Sequence, residues 1–555
     1  MSETQGSVSI IPIGGLGEFG LNMMVYEHGE DLIVIDAGLM FPEPDMPGVD
    51  LVFPDITYLV QNQNKIRGII LTHAHEDHIG ALAHVLRQIK VPVYATALTL
   101  AIAKGRLREY DVLKEAELNV VTANQDVQLG DFRVEFIHVT HSIPDAVAVA
   151  IHTPIGVIVH TGDFKFDLTP SDDRLTEIHK LAALGEKGVL LLVSDSTNAD
   201  RPGFTPSERS IYSDLNRIFQ NVEQRLFFST FSSSLHRVQQ FVDLAIAHRR
   251  LVAVSGRSLV NNIRTGRELG HLNVPPDLLI NPREVEQFRP HEVAVLSTGS
   301  QGEPRSAMAL MAMDKHAFLR IDPGDTVVMS ARLIPGNEKS VAHMINHLLR
   351  RGAQVLHEKN AHVHVSGHGA QEDLKLMLNL VRPKFFMPMH GEYSNLVHHA
   401  ELAEAVGISY DNIVLAEDGD CVHLKSDSCE IHGQVPVGRV LVDGNIDMGI
   451  EDIVLHDRHQ LSQDGMVIPI TVLDGSTGDL VAGPDMVSRG FVYMDESETL
   501  MNEAKMVVIH ALEHMSVESK REEETVQEEV RTVLSRFLTK QTDRRPMVLP
   551  VVMRV

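Results

Sequence analysis

Residues 73–78 read His-Ala-His-Glu-Asp-His, directly after the apolar run Ile69–Thr72. Four side chains able to bind a metal thus fall within six residues. No regular backbone turns them to one place. A continuous helix points His73 and His75 to different faces, and a strand sends Asp77 and His78 to opposite ones. A loop held by a strand before it and a helix after it lets two pairs diverge toward two adjacent ions. The segment therefore asks for a scaffold that delivers ligands at strand ends, as layered α/β architectures do.

Composition narrows the chemistry. The chain has 30 His against 8 Tyr and no Trp, and its two cysteines are Cys421 and Cys429. That excludes a disulfide framework and a four-thiolate zinc site, so a transition-metal site here uses imidazole and carboxylate. At 555 residues, 43% hydrophobic and 22% charged, the chain is globular and long enough for three or four units. The start MSETQGSVSI has no basic head or apolar stretch of the secretory kind. The longest apolar run, Ala146–Val159, is broken by His152, Thr153, Pro154 and Gly156, short of the roughly 18–20 residues of a membrane span. A soluble, cytoplasmic protein is the expectation.

Periodicity predicts strands at Val8–Ile13, Asn22–Tyr26, Leu32–Asp36, Ile69–Thr72, Val91–Tyr94, Val134–Thr140, Val147–His152, Val157–Thr161 and Val189–Asp195. Helical patterns fall at His78–Lys90 and Thr96–Glu109. A second βα series begins near Thr205, with strands at Arg225–Ser229, Leu251–Val254, Val293–Leu296 and Thr326–Met329. From His362 to Leu415 the pattern reads as short strands and His-rich loops, with His362 and His364 alternating along one strand face. Gly433–Gly449 reads as a linker. The tail reads as strands at Met466–Val472 and Gly490–Tyr493, helices at about Glu496–Val517 and Lys520–Lys540, and a last strand at Met547–Met553. The acidic block EEETVQEEVR within it reads as a solvated helix face.

Gly15-x-Gly17-x-x-Gly20 follows a strand, and Asp36 lies 19 residues past Gly17, the spacing of a dinucleotide fingerprint. That fingerprint needs a helix next, to hold the pyrophosphate at its N-terminus. LNMMVYEHGEDLIVID follows instead, two short apolar runs around a glycine turn, which predicts a β-hairpin. The glycines therefore belong to a loop that joins strands and lines the floor of a site.

Further His and Asp residues end predicted strands: His138-Val-Thr-His141-Ser142, Thr161-Gly-Asp163, Ser366-Gly-His368 and Met389-His390-Gly391-Glu392. His73-Ala-His75-Glu-Asp77-His78 resembles the signature of the metallo-β-lactamase fold. Asp195, the long insertion after it, Ser366-Gly367-His368 and His390-Gly391-Glu392 resemble the β-CASP subgroup of nucleic-acid-processing nucleases. The opening GGLGEFGLN, Arg332-x-x-Pro335-Gly336-Asn337-Glu338 and Ser488-Arg489-Gly490-Phe491-Val492-Tyr493 are similar to bacterial ribonuclease J over about Val8 to Val555. Leu21 stands where that family's opening loop carries lysine, a local difference in charge.

The resemblance implies a four-layer αββα sandwich (residues 1–205 and 352–425), an inserted β-CASP α/β domain (206–351), a linker (426–450) and a C-terminal α+β domain (451–555). It implies two divalent ions, zinc or manganese, one held by His73, His75 and His141 and the other by Asp77, His78 and His390, with Asp163 shared. Such a pair activates water and offsets the charge growing on a phosphodiester. His368, backed by Asp195, takes the role of proton donor to the leaving 3′-oxygen. Ser366 and His368 match a pocket for an RNA 5′-phosphate; Ser232 and Ser234, in a serine run after a strand, are further candidates, and Arg257 could approach the RNA. The implied activity is 5′→3′ exonuclease action on single-stranded RNA with a 5′-monophosphate, together with endonuclease action, in RNA maturation and decay. A homodimer or tetramer through the C-terminal domain is implied as well. Alternatives are a DNA-directed nuclease of the same subgroup, a small-molecule hydrolase of the same fold, and a metal-bearing scaffold subunit.

A net charge of −26 argues against a broadly basic surface for clamping nucleic acid or anionic membranes. The charge is uneven, however. Residues 206–351 hold 16 Arg and 2 Lys against 14 acidic residues, a net of +4, whereas residues from Ser426 onward carry −11. The expectation is a narrow, arginine-lined channel on an acidic body.

Overall fold

The computed structural model describes residues 6–43, 45–123, 125–334, 336–444, 452–493 and 497–555. Pro335, Glu496 and residues 445–450, which figure in the motifs and boundaries above, lie outside them. The chain divides into two units, residues 1–41 with 52–440 and residues 42–51 with 441–555.

Two mixed sheets form the middle of the first unit. One runs Cys429–Gln434, Asp420–Leu424, Val8–Gly14, Met23–His28, Asp31–Ile35, Ile66–Ile70, Val93–Ala95 and Leu118–Val120. The other runs Pro383–Met389, Val189–Asp195, Gly156–His160, Val147–Thr153, Phe132–His138 and Asp126–Leu129. Strict alternation packs them. Phe132, Val134 and Phe136, with Val147, Val149 and Ile151, face Ile10, Tyr26 and Ile33 of the opposite sheet. The residues between them, Ile137, Ala148 and Ala150, turn outward onto helices Ile178–Lys187 and Gln371–Val381, where small side chains let the helices approach. The first sheet's outer face packs on Leu82, Val85, Leu86 and Leu98 of its own helices. Helix, sheet, sheet, helix is the four-layer metallo-β-lactamase architecture.

Between residues 226 and 357 the chain builds a third, wholly parallel sheet in the order Leu279–Ile280, Leu251–Ser255, Val293–Ser297, Leu226–Ser229, Thr326–Met329 and Gln354–His357. Its central strands are buried on both faces: Leu226 and Phe228 join one core cluster, Phe227 another. Near-continuous apolar runs such as Leu226-Phe-Phe are what a doubly covered parallel sheet requires.

In the second unit, Met466–Leu473 pairs antiparallel with Leu480–Arg489 and parallel with Met547–Val548 and Val551–Arg554. Helices Glu498–His514 and Glu523–Thr542 cover the sheet. The second helix buries Val526, Val530, Leu534 and Leu538, a four-residue stripe, so the acidic residues of its first turns face solvent. Among the described residues, no helix is long and apolar enough to cross a membrane.

The structure corrects several expected elements. Residues 362–415 contain two helices, Gln371–Val381 and Tyr393–Ala405, which flank the strand Pro383–Met389. The helical stripe Leu374, Met377, Leu378 and Val381 is masked by Leu376 and Leu380, which with Lys375 and Asn379 give the stretch a strand-like alternation. His362 and His364 lie in an irregular segment instead of alternating along a strand. The expected helix at His78–Lys90 breaks into Glu76–Ile79 and Leu82–Gln88. Residues 429–434, within the expected linker, form the edge strand of the eight-stranded sheet. The expected strand at Gly490–Tyr493 is instead an irregular segment that follows the strand Leu480–Arg489, and Gly490 turns there to positive φ against Gly465. Helix Asp452–Asp464 was not foreseen.

Candidate metal centre

Parallel neighbours in the six-stranded sheet end at one edge, and their first loop residues therefore meet. Asp195 closes its strand beside Met389, which precedes His390, and the strand Gly156–His160 runs parallel to both and leads to Asp163. His141 follows Phe132–His138 at the same edge. From the facing sheet, Ile66–Ile70 ends in Leu71-Thr72-His73. This is the crevice at the carboxyl ends of strands where α/β sheets place their sites.

Seven residues converge there. His73 Nε2, His75 Nδ1 and His141 Nε2 lie 3.0–3.2 Å apart along the series. Asp163 Oδ2 stands 3.5 Å from the first and 3.7 Å from the last. On the other side of Asp163, His78 Nε2 is 3.3 Å from Oδ2 and His390 Nε2 is 3.8 Å from Oδ1. Asp77 Oδ2 is 3.6 Å from His78 Nε2 and 3.4 Å from His390 Nε2. The donors form two groups sharing Asp163, each gathered within 4.8 Å. Asp163 is 1% exposed, and neither of its carboxylate oxygens has a hydrogen-bond partner. A buried, unpaired carboxylate ringed by imidazoles is costly alone, and it suits divalent cations on both sides. Five imidazoles and two carboxylates fit zinc or manganese.

Electrostatics agree with that reading. Burial holds His73 and His141 well below the usual imidazole range and takes His75 down to about 4, so all three present free lone pairs. Burial also disfavours charge on His78 and His390, but Asp163 and the other carboxylates outweigh it, taking His390 up to about 9. Metal binding must displace those protons. Asp77 and Asp163 are held low because the neighbouring imidazoles outweigh their burial.

The outward nitrogen of each candidate ligand is fixed by an oxygen. His78 Nδ1 is 2.7 Å from Asp36 Oδ2, His73 Nδ1 3.0 Å from Thr72 Oγ1, and His141 Nδ1 2.8 Å from the Gly367 carbonyl. His390 Nδ1 is 2.7 Å from Thr197 Oγ1, and His75 Nε2 is 3.3 Å from Ser142 Oγ. Asp36 also accepts from the Thr72 amide and hydroxyl, and so orients ligands from both ends of the 73–78 loop. Asp36 (φ 65) and His390 (φ 59) both hold left-handed backbone, a strain that packing must sustain. Gly38 lies so close that a Cβ there would sit 1.7 Å from the Asp77 carbonyl.

His368 sits at the rim, its Nδ1 2.8 Å from Asp195 Oδ2 and its ring 5.0 Å from that of His141. Burial works against its charge, but Asp195 and then Asp163 outweigh burial and raise its pKa. Asn198 donates to Ser366 Oγ and to the His368 carbonyl, both at 2.9 Å, and accepts from Arg332 Nη1 at 2.9 Å. The structure thus brings His73, His75, Asp77, His78, His141, Asp163, Asp195, Ser366, His368 and His390 into one site. Ser232 and Ser234 lie in the turn before helix Leu235–Ala247, and no hydrogen bond ties their side chains to Ser366 or His368. His138 lies outside the cluster, with Nε2 3.4 Å from the Arg174 carbonyl, and His362 pairs with Asp214. Arg257 is exposed at the start of helix Arg257–Glu268.

Sequence reasoning missed Asp36, Thr72, Thr197 and Asn198 as partners of the site. Asp36 entered it only as the acid of a rejected nucleotide motif. The signal available was its place at a predicted strand end, shared with the ligands. The glycine loop does border the site: Leu16–Gly17 pairs with Gly391–Glu392, and the Phe19 ring lies 6.3 Å from that of His390.

Comparison with known proteins bears on each segment. Residues 16–202 match the model of the metallo-β-lactamase superfamily, 223–348 that of the ribonuclease J β-CASP domain, and 453–555 that of the ribonuclease J C-terminal domain. Residues 355–415 match the Zn-dependent metallo-hydrolase RNA specificity domain. The chain is 42% identical to ribonuclease J 1 of Streptococcus pyogenes over 98% of its length and 97% of that protein's. It is 40% identical to ribonuclease J2 of Bacillus subtilis over 99% of both chains. Ribonuclease J of Synechocystis is 42% identical over 99% of this chain and 87% of that one. A crystal structure of an Enterococcus faecalis protein of unknown function, 18% identical, shares the fold at a TM-score of 0.53 over 75% of this chain and all of that one.

The arrangement predicts that Asp36→Asn weakens metal binding about 10–100-fold, because His78 loses its charged partner and the loop its anchor. Competition with a chromophoric chelator measures this, and circular dichroism should show an intact fold.

Proposed function

The chain belongs to the ribonuclease J family and is a metal-dependent nuclease, and on that premise we propose that it shortens single-stranded RNA from a 5′-monophosphate end in the 5′→3′ direction and also cuts internally. The observation that carries the reading is the complete donor set around an unpaired, buried Asp163, joined at its rim to the His368–Asp195 pair.

In this reading His73, His75 and His141 hold one divalent ion and Asp77, His78 and His390 the other, with Asp163 common to both. When bound, zinc or manganese ions supply an activated water as nucleophile and neutralise charge on the phosphodiester. The residues of the chain do the rest. The oxygens behind each imidazole keep the lone pairs aimed inward. His368, kept protonated by Asp195, donates its proton to the leaving 3′-oxygen, and no side-chain nucleophile is needed. Ser366 and His368 receive the RNA 5′-phosphate. Ser232 and Ser234, at the start of a helix, add hydroxyls to that pocket as RNA enters. The RNA ribose distinguishes this activity from a DNA-directed nuclease through its 2′-OH.

The charge of the insertion needs refinement in this light. Three of its 16 arginines are structural: Arg225 pairs with Asp322 and Asp325, Arg237 with Glu208, and Arg250 bonds the carbonyls of Val222, Gln224 and Val293. Fewer cations are therefore left to meet RNA than the count suggests, Arg257 among them.

For the C-terminal unit we read a homodimer, on which tetramers can build. Val551 and Met553 of the last strand, and Val555 just after it, are 40–73% exposed, an apolar surface of the kind that subunits cover.

Two outcomes follow. Labelled RNA with a 5′-monophosphate should be degraded faster than the 5′-triphosphate form and the matching DNA, and Asp77→Asn should lower the rate by several orders of magnitude on either RNA; equal cleavage by Asp77→Asn refutes the site. Removal of residues 451–555 should leave monomers by light scattering, and a truncated protein that stays dimeric refutes the assignment of the interface.

A further inference from the structure

Four charged side chains lie fully inside the first unit beneath the site: Lys165, Asp167, Glu208 and Arg237 are 1–5% exposed. Arg237 lies in the first turn of helix Leu235–Ala247, and all three of its guanidinium nitrogens donate hydrogen bonds. Nε and Nη2 donate to the two carboxylate oxygens of Glu208 at 2.5 and 3.0 Å. Nη1 donates to Ser330 Oγ at 2.6 Å and to the Val363 carbonyl at 3.1 Å, and Ser330 Oγ itself donates to that carbonyl at 2.5 Å. Val363 stands three residues before Ser366 and five before His368, in a segment without regular secondary structure. Nothing in its own backbone ladder fixes where that segment runs.

The other end of the network reaches the candidate ligand loops. The Glu208 amide donates to Asp167 Oδ2 at 2.8 Å, and the Asp167 amide donates to Thr140 Oγ1 at 3.1 Å. Thr140 Oγ1 donates to the Lys165 carbonyl at 2.6 Å, and Lys165 Nζ donates to the Pro206 carbonyl at 3.1 Å. Thr140 precedes His141, and Lys165 follows Asp163 by two residues. One buried chain of bonds thus runs from the loops of His141 and Asp163, through Glu208 and Arg237, to the backbone that carries Ser366 and His368.

Desolvating four charges costs about as much as their pairing returns, so such a cluster contributes little to stability. What a planar, bidentate arginine fork supplies is geometry. We propose that Arg237 is a positioning residue: through the Val363 carbonyl and Ser330 it sets where His368 stands relative to the loops of His141 and Asp163. It touches neither substrate nor metal. The inference rests on the reading of His368 as the proton donor.

The test is a double-mutant cycle. Single-turnover cleavage of 5′-monophosphorylated RNA is measured for the wild type, Arg237→Lys, His368→Ala and the double variant, with metal content and thermal unfolding followed in each. Lysine keeps the charge and loses the fork, so Arg237→Lys should slow cleavage about tenfold or more while metal content stays at the wild-type level. In the His368→Ala background the same change should cost less than about twofold, because the group it positions is gone. Should Arg237→Lys fail to fold, Ser330→Ala, which removes one hydroxyl from the same carbonyl, should give the same non-additive pattern. An equal fold-loss in both backgrounds, or a wild-type rate for the positioning variant alone, overturns the inference. A wild-type rate for His368→Ala alone marks the failure of the proton-donor reading itself, and the positioning role falls with it.

Discussion

A carboxylate with no partner, buried among five imidazoles, is the constraint on which the rest of this structure depends. The charge of Asp163 needs positive charge beside it, and two separate groups of donors share the carboxylate, with Oδ2 alone 3.3–3.7 Å from His78, His73 and His141. Everything nearby serves that arrangement. Parallel strands end at one edge so that Asp163, Asp195 and His390 emerge side by side. The imidazoles are turned inward by oxygens behind them, and Asp36 and His390 accept left-handed backbone to reach their places. The close packing of Gly38 on the Asp77 carbonyl leaves that loop no room to relax. Rigidity of this kind is what a site needs when its ligands come from four loops on two sheets.

The candidate ligands were legible because they are local. His73, His75, Asp77 and His78 fall within six residues, and His141, Asp163, Asp195 and His390 each follow an apolar run recognisable as a strand. The layer order was legible for the same reason: alternation in Phe132–His138 and Val147–Thr153 marks two buried faces, and the continuous apolar strands of the insertion mark a parallel sheet. What escaped was either irregular or long-range. Residues 361–370 alternate in type like a strand, but they wrap the site with backbone groups spent on His141, Asn198 and Thr205. Asp36 meets His78 across 42 residues and Thr197 meets His390 across 193, distances over which no local pattern operates. The linker reading failed at 429–434 because an edge strand paired on one side needs few apolar residues.

Charge illustrates the same division. The net of −26 describes the whole chain, and the positive balance of the insertion describes its composition. Neither reveals that Arg225, Arg237 and Arg250 turn inward to knit the insertion together. Burial decides whether an arginine is a phosphate ligand or a structural fork, and burial is a tertiary property.

Sharing of Asp163 requires two cations per chain, and their number can be counted. Protein stripped with chelator, reloaded with manganese or zinc, and desalted should carry two ions per chain by elemental analysis. Asp163→Asn, nearly the same in volume, should retain at most one while unfolding as cooperatively as the wild type. Two ions in that variant, or fewer than two in the wild type at saturating metal, would contradict that sharing.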